Sequence, residues 1–342
     1  QMTIDVKAME AMAAMATGQT GHTGHQDEMQ MQRIRVRALA LNFFDVVQRL
    51  GIMPTHVAGH QIPKPLGGHD FAGSSNEEIF GMGATMSQSI SHDSHPQLLA
   101  LRPRNLTALE AASLPTVSLT VSMAFDFAQV THGEILLIHA AAGGVGLAAI
   151  SAARRLGAQL MATAGSAKKM CSLRSRGLLQ IASSRDGQAF LSDIYDQPTM
   201  PTLVLNSLTH QDFIPRSLSL LGPAGRFVEL AKLQAWSAAQ VAAFRADVKY
   251  AVLLLDRRVA EAPSTLRCEL RQVAAIASDL ASYGRSLMMN VYHFPSEVLK
   301  AFQVLQQAKQ IGKVVLNFEG VSGVSGAMDH FELEIHRRIH HE

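Results

Sequence analysis

The sequence predicts an α/β protein built on a doubly wound parallel sheet, and two observations carry this prediction. Residues 134–157 contain an apolar run, then a turn of small residues, then small and apolar residues at helical spacing. Further short apolar runs alternate with helical patterns as far as residue 255. Buried parallel strands have this continuous apolar character, and the helices between them cover both faces of the sheet.

The predicted elements follow in order along the chain. The predicted strands are residues 135–138, 159–164, 179–183, 202–205, 226–230 and 248–255. The predicted helices between them are residues 147–156, 167–177, 187–195, 213–221 and 238–246. A more irregular β pattern, broken by glycine and proline, covers residues 33–66. A similar pattern returns later, with strands at 287–291 and 313–318 and a helix at 296–308.

This order predicts a cofactor domain inserted between two halves of a β-rich substrate domain. Residues 33–116 and 284–320 form the predicted substrate domain, and residues 117–283 form the predicted cofactor domain. Residues 1–32 are expected to be a flexible segment or linker, and residues 321–342 a tail or linker. The first of these contains two histidines three residues apart, but no other ligands cluster there, so a linker is favoured over a metal site.

Composition excludes several classes of function. A net charge of +2 with 17% charged residues leaves no basic stripe for nucleic acid. The longest apolar runs have the length of strands, so no membrane span is expected. Two cysteines, Cys171 and Cys268, exclude a disulfide framework or a cysteine-based zinc site and suit a reducing cytoplasm. The chain begins at Gln1 without a signal-peptide pattern, and we expect it to be a piece of a longer protein.

The turn Ala-Ala-Gly-Gly-Val-Gly at residues 141–146 is typical of a dinucleotide-binding site. Its glycines let the backbone turn tightly and approach a pyrophosphate, whose charge lies at the helix N-terminus. Ala141 replaces the first glycine of the usual pattern, so a tight structural turn is the alternative. The strand before the turn and the helix after it favour the dinucleotide.

The end of the second predicted strand favours NADPH over NADH. Sites for NAD usually place an aspartate or glutamate there to bind the ribose hydroxyl. Residues 163–166 contain neither, and Lys168 and Lys169 follow. A serine hydroxyl and two cations suit a 2′-phosphate, which Arg185 would bind bidentately. The alternative is that these residues are solvated charges at helix starts.

Eight motifs in order carry a resemblance to a known family. They are LNFFDV at 41–46, AASLPTV at 111–117, HAAAGGVG at 139–146, ATAGSAKK at 162–169, SSRD at 183–186, LNSL at 205–208, GRFVELAK at 225–232 and IGKVVL at 311–316. In this order they resemble the enoyl reductase domains of polyketide synthases and animal-type fatty acid synthases, in the medium-chain dehydrogenase/reductase superfamily. The resemblance implies a Rossmann domain inserted in a GroES-like substrate domain.

The same resemblance implies the activity and the partners. It implies an NADPH-dependent, zinc-independent reduction of a trans-2-enoyl thioester, carried by an acyl carrier protein, to the saturated thioester. The domain would work in the cytoplasm beside neighbouring domains of a megasynthase. A catalytically weak or inactive structural domain and a free-standing quinone reductase are the alternatives.

The resemblance also implies roles for individual residues. Lys232 and Asp256, at the carboxyl ends of the fifth and sixth predicted strands, match candidates for enolate stabilisation and proton donation. Alternatively, Lys232 is a solvated loop lysine and Asp256 caps a helix. Asn42 and Phe43 are expected in the substrate pocket. The expected cofactor contacts are Thr120, Ala142, Gly143, Gly144, Val145, Gly146, Gly165, Ser166, Lys169, Ser184, Arg185, Asn206 and Ser207.

The sequence departs from the family at several points. Phe43 stands where some members have a proton-donating tyrosine, so proton delivery is expected to fall to Lys232 or water. Phe44 and Met170 stand where arginines are usual. The segment 72–84 is shorter than in the family by about a strand and a turn, which puts substrate binding in question more than cofactor binding.

One motif is similar to the zinc site of alcohol dehydrogenases in the same superfamily. Gly68-His69-Asp70 matches their Gly-His-Glu ligand motif. A catalytic zinc there would also need cysteines, and neither cysteine lies near the expected positions. His69 is therefore expected to be a loop or core residue, and no metal is expected.

Overall fold

The computed structural model describes residues 32–62, 69–83, 91–195, 199–210, 212–282 and 288–320. Its strands are β1 Gln32–Leu41, β2 His56–Val57, β3 His60–Gln61, β4 His69–Ser74, β5 Glu78–Gly83, β6 Ser91–Ser94, β7 Leu99–Leu101, β8 Ile135–Ile138, β9 Gln159–Ala164, β10 Gln180–Ser183, β11 Leu203–Asn206, β12 Arg226–Glu229, β13 Lys249–Val252, β14 Met289–His293 and β15 Lys313–Asn317. The predicted C-terminal tail, and the predicted N-terminal segment up to residue 31, lie outside the described residues.

Among the described residues, the α-helices are short apart from three that exceed eleven residues. They are α1 Phe43–Arg49, α2 Ala108–Ala112, α3 Pro115–Ala128, α4 Gly144–Arg155, α5 Ala167–Arg174, α6 Gly187–Tyr195, α7 Phe213–Leu220, α8 Ala238–Phe244, α9 Leu255–Glu261, α10 Pro263–Ser282 and α11 Val298–Gln306, with a 3₁₀ turn at Pro96–Leu98. Within the described residues, no helix is long and apolar enough to cross a membrane.

A six-stranded parallel sheet forms the middle of the chain, in the order β10-β9-β8-β11-β12-β13. The order reverses between β8 and β11, so the carboxyl ends of the strands open into a crevice at this point. Apolar residues pack on both faces of the sheet, in one cluster around Leu136 and Ile138 and another around Leu137 and Phe227. The predicted doubly wound Rossmann sheet is confirmed.

A seven-stranded mixed sheet contains strands from both ends of the described chain. Its main path is β14-β15-β1-β4-β5-β7, and β6 pairs with β1. β14 and β15 are parallel, and the other pairs are antiparallel. The β-rich sheet is therefore interrupted in the sequence by the parallel sheet. The exact domain boundaries stay a prediction.

The structure differs from the sequence prediction after the sixth parallel strand. β13 ends at Val252, whereas the apolar run had predicted a strand through residue 255. Leu254 is apolar for another reason, because it packs in a small cluster with Val57 and Ile62. The run then enters α9, whose first turn carries Asp256.

Helix α10 had not been predicted, although its 20 residues are amphipathic. Its buried residues Leu266, Leu270, Ala274 and Ala277 join a cluster that includes Phe80 of the mixed sheet. The helix lies within the range predicted for the cofactor domain, but it packs on a face of the other sheet.

Candidate active site

A cavity of about 840 Å³ lies at the carboxyl ends of the parallel strands. It is bounded on the other side by residues of the mixed sheet and of the β1–α1 turn. Of the predicted site residues, Ser166 and Asn206 do not line it. Those that do are Asn42, Phe43, Thr120, Ala142, Gly143, Gly144, Val145, Gly146, Gly165, Lys169, Ser184, Arg185, Ser207, Lys232 and Asp256.

The glycine turn brings the N-terminus of α4 to the cavity. Gly143 is the N-cap of this 12-residue helix. A Cβ on Gly146 would lie 2.5 Å from the Cα of Ala141, so only glycine lets the helix pack against the strand end. Ala141 fits at the first position because the left-handed conformation belongs to Ala140, at φ 47°. The free N–H groups of such a helix start form an anion site.

The second half of the β-rich region closes over this turn. Gly312 forms an isolated parallel bridge with Gly143, and its N–H donates to the carbonyl of Ala142 at 2.8 Å. The side chain of Lys313 lies against Gly144, where an added Cβ would be 2.8 Å from the Lys313 Cδ. Residues more than 160 positions apart in the sequence therefore form one wall of the cavity.

Two cations meet at the ends of β9 and β10. Arg185 lies over Gly165, where an added Cβ would be 2.8 Å from its Nε. The Lys169 Nζ donates to the carbonyl of Ala308 at 2.7 Å. Burial, together with the charge of Arg185, lowers the pKa of Lys169. Ser166 is exposed and caps α5, with its Oγ accepting from the Lys169 N–H at 3.4 Å.

Lys232 and Asp256 lie together at the other half of the crevice. The Lys232 ammonium donates to the Asp256 carboxylate, and the side chains are 23% and 17% exposed. The ammonium also lies 4.3 Å from the ring centroid of Phe44, a cation–π arrangement. Asp256 stands in the first turn of α9, where the helix dipole favours a carboxylate. The structure brings the two residues together, and their catalytic role stays a prediction.

A second lysine–carboxylate pair is almost completely buried at the wall of the same cavity. The Lys313 Nζ donates to Asn42 Oδ1 at 2.6 Å and to Asp70 Oδ2 at 3.1 Å. Asp70 Oδ1 accepts from both the N–H and the hydroxyl of Thr116, at 3.0 and 2.6 Å. The four residues tie the β1–α1 turn, β4, α3 and β15 together. The polar groups of Asn42 are thus used within the protein, although the residue lines the cavity.

Asn206 and Glu229 form a buried pair behind the crevice. They end β11 and β12, stand opposite each other in register, and are both 0% exposed. The Asn206 Nδ2 donates to Glu229 Oε2 at 2.6 Å. Burial raises the pKa of Glu229 to about 7. His139, next to this pair, bonds Ser217 at 2.8 Å, and burial lowers its pKa to about 3, so it stays neutral.

No metal site is present among the described residues: no group of three or more histidine, cysteine, aspartate or glutamate side chains could hold an ion. His69 is the first residue of β4, and its side chain lies outside what the structure describes. Its expected role as a loop or core residue therefore stays a prediction.

Comparison with known proteins places the chain in a family. No family model matches it. It is 34% identical over 310 residues to the spectinabilin polyketide synthase system protein NorB of Streptomyces orinoci, covering 86% of this chain and 13% of NorB. The solved CurK enoyl reductase is 31% identical with a TM-score of 0.70, covering 86% of this chain and 94% of CurK. The chain belongs to the enoyl reductases of polyketide synthases.

Two other solved structures share the fold of this reductase, and another synthase component is similar to it in sequence. The CurF ER cyclopropanase is 26% identical with a TM-score of 0.72, covering 86% of this chain and 93% of that chain. The Escherichia coli quinone oxidoreductase complexed with NADPH is 21% identical with a TM-score of 0.69, and it shares the fold. The pikromycin synthase component PikAII of Streptomyces venezuelae is 35% identical, and the reductase spans 8% of its length.

In this reductase, the structure adds site residues that the sequence had not assigned. Lys313, Asp70 and Glu229 each stand within a motif that had been noted, but no role was given to them. The signal in each case is a charged residue inside or beside an apolar strand pattern. Such a residue must find a buried partner, and the sequence does not say which one.

Proposed function

We propose that the chain is the NADPH-dependent, zinc-independent enoyl reductase domain of a polyketide synthase. It reduces a trans-2-enoyl thioester on an acyl carrier protein to the saturated thioester, beside neighbouring domains of the megasynthase. One observation carries this proposal: a single cavity joins the cations Lys169 and Arg185 to the Lys232–Asp256 pair. Lys169 follows β9 and Lys232 follows β12, and these two strands are three strand spacings apart, about 14 Å.

The cofactor contacts are proposed from features of this cavity. The crowded glycine at position 146 and the start of α4 suit a pyrophosphate. Lys169 and Arg185 suit a 2′-phosphate, and β9 ends in Thr163 and Ala164 without a carboxylate that would bind a ribose hydroxyl. When bound, the dihydronicotinamide supplies a hydride to the β-carbon of the enoyl thioester.

The residues of this chain then stabilise the negative charge of the enolate and supply the proton to its α-carbon. The enolate oxygen receives a hydrogen bond from the Lys232 ammonium, which also donates the proton to the α-carbon. An ammonium has three N–H donors, and the bond to Asp256 uses one of them. Asp256 and the Phe44 ring orient the ammonium toward the cavity. Phe43 is 57% exposed and offers an apolar wall without a proton.

The test is oxidation of NADPH by the purified chain with crotonyl and longer enoyl thioesters, on pantetheine and on an acyl carrier protein. We expect thioester-dependent oxidation with NADPH and much weaker activity with NADH. A quinone should not replace the thioester. NADPH binding without thioester turnover would contradict the proposal.

NADPH binding without thioester turnover would favour the alternative of a catalytically weak or inactive structural domain. One observation supports this alternative. β4 and β5 are joined by residues 75–77 alone, so the segment that is shorter than in the family forms a closed hairpin. Turnover of any chain length of thioester would exclude this alternative.

Zinc independence has its own test. Because the proposed chemistry uses Lys232 as the acid, we expect neither added zinc nor a chelator to change the reduction rate. A stoichiometric zinc found by elemental analysis, lost together with activity on chelation, would contradict this. We place the domain in a reducing cytoplasm, which its exposed free Cys171 and Cys268 suit.

A further inference from the structure

A buried carboxylate lies directly behind the turn that carries Lys232. Glu229 is the last residue of β12, and Lys232 follows three positions later. The Glu229 Oε1 accepts from the N–H of Ala231 at 2.7 Å, and its Oε2 accepts from Asn206 at 2.6 Å. Both Ala231 and Lys232 line the cavity, whereas Glu229 is 0% exposed. The carboxylate therefore holds the backbone one residue before Lys232.

The orientation of Asn206 makes this contact specific. Its second N–H donates to the carbonyl of Leu208 at 3.1 Å, and its Oδ1 accepts from the Leu208 N–H at 3.2 Å. An asparagine has two N–H donors and one carbonyl, so the Leu208 contacts fix which atom faces Glu229. The atom that faces Glu229 is the Asn206 Nδ2, a donor, and only an acceptor oxygen satisfies its N–H. The pair thus joins the two turns that follow β11 and β12.

We propose that Glu229 is a positioning residue for Lys232, because its carboxylate holds the Asn206 amide and the Ala231 N–H and so fixes the turn from which Lys232 reaches Asp256. The inference rests on the proposed function, in which Lys232 acts on the enoyl thioester. A carboxylate satisfies both N–H donors at once. A carboxylic acid or an amide at this position turns a donor toward one of them and loses that hydrogen bond.

Protonation of Glu229 therefore has a direct consequence for the turn. Burial raises the pKa of Glu229 to about 7. The neighbouring His139 is neutral throughout this range, since burial lowers its pKa to about 3. Burial and the Glu229 charge raise the pKa of Tyr250, whose hydroxyl donates to the Trp236 carbonyl at 2.6 Å. Glu229 is the one of these three groups that changes charge near neutral pH.

The experiment compares three variants of the full chain. Glu229→Gln removes the charge and turns an amide N–H donor toward the N–H of Asn206 or of Ala231. Asn206→Ser removes one partner of the carboxylate and leaves Glu229 in place. Glu134→Gln is the matched control, because Glu134 pairs with Arg226 at the amino ends of β8 and β12, away from the cavity, and is 17% exposed. For each, kcat is measured against pH, with NADPH affinity and the rate at which acetic anhydride labels Lys232.

We expect Glu229→Gln to lower kcat about 10–100-fold while NADPH affinity stays within about twofold. The wild-type kcat should fall below about pH 7, and this acidic limb should be missing in Glu229→Gln. In Asn206→Ser the limb should move to higher pH, since the charged carboxylate has lost a donor. Labelling of Lys232 should rise in both variants, and Glu134→Gln should match the wild type in every readout.

An unchanged pH profile together with unchanged Lys232 labelling in Glu229→Gln and Asn206→Ser would overturn the inference. If Glu229→Gln does not fold, the shift of the acidic limb in Asn206→Ser decides. The proposed function fails in a different way, by the absence of thioester turnover in the wild type. In that case the labelling of Lys232, which needs no turnover, still decides the positioning role.

Discussion

Two lysine–carboxylate pairs border the same cavity and differ in their access to water. The side chains of Lys313 and Asp70 are 4% and 0% exposed, and those of Lys232 and Asp256 are 23% and 17% exposed. Lys313 also donates to Asn42 at 2.6 Å, whereas the Lys232 ammonium lies against the Phe44 ring. Both lysines line the cavity, but the first pair is enclosed in hydrogen bonds and the second is more exposed to the cavity.

We expect this difference to separate a structural pair from a reactive one. A buried charge that loses its partner is left uncompensated, so the Lys313–Asp70 pair is expected to be needed for folding. A partly exposed pair contributes little to stability, so the Lys232–Asp256 pair can change its contacts when a substrate enters. The chemistry of lysine and aspartate is the same in both places, and we expect burial to decide which role each pair has.

The comparison fails if the exposed pair is not the reactive one. Lys232→Ala should lower kcat on an enoyl thioester by about 10²–10⁴-fold, the usual contribution of a positioned acid. NADPH affinity and the free energy of unfolding should change little. The measurement is steady-state turnover with deuterium-labelled cofactor and solvent.

The matched control is Lys249→Ala. The Lys249 ammonium also lies near an aromatic ring, 4.6 Å from the centroid of Phe127, but at the amino end of β13. Its removal should leave kcat unchanged. An unaltered rate with unaltered α-proton stereochemistry in Lys232→Ala would remove Lys232 from the mechanism. A retained rate with scrambled stereochemistry would assign the proton to water.

The buried pair should show its effect in stability. Asp70→Asn keeps the shape of the side chain but leaves the Lys313 ammonium buried without a carboxylate. We expect the free energy of unfolding to fall by about 3–5 kcal/mol, measured by denaturant titration. Asp256→Asn should cost about 1 kcal/mol or less, since its pair is partly solvated. Equal losses in the two variants would show that burial does not distinguish the pairs.

Glu229 extends the comparison to a buried carboxylate held by N–H donors. Its pKa in the folded chain is about 7, above the ordinary value of 4.5. The folded state therefore binds the proton more tightly, and the associated stability is present below pH 4.5 and lost as the pH rises to about 7. The loss amounts to about 3 kcal/mol. Denaturant titrations across this range should show it in the wild type relative to Glu229→Gln, and parallel curves would contradict it.

Lys169 is partly buried, and Arg185 is the cation beside it. Arg185→Ala should weaken NADPH binding by about 1.5–3 kcal/mol, because it removes a charge-assisted contact to the 2′-phosphate. NADH, which lacks that phosphate, should bind as before. Fluorescence titration with both cofactors measures the difference. Equal weakening for the two cofactors would mean that Arg185 does not face the phosphate.

Much of the fold could be predicted from local patterns. The β9 and α6 ranges were predicted to the residue, because their apolar runs and glycine boundaries are local signals. Helix α10 was missed, although Leu266, Leu270 and Ala274 follow a helical spacing. The end of β13 was extended too far because Leu254 is buried without being in a strand.

The site residues that follow strand ends could be predicted from the sequence. The contacts between residues far apart in the sequence could not. Lys232 and Asp256 follow two neighbouring parallel strands, so their meeting follows from topology. Lys313 and Asp70 are 243 positions apart, and nothing in either local pattern names the partner. The cofactor contact of Asn206 stays a prediction. Its amide is used by Glu229 and Leu208, which only the register of β11 and β12 reveals.

The bridge between Gly143 and Gly312 has a consequence for how the protein is made. A ribosome completes the whole parallel sheet, with its glycine turn, before it reaches the residues that close over that turn. Ala308 and Lys313 are made after the parallel sheet, so in a nascent chain the cavity stays open on this side until β15 has emerged. The cavity therefore gains this wall at the end of synthesis of this region, when β15 joins β1 and the mixed sheet is complete.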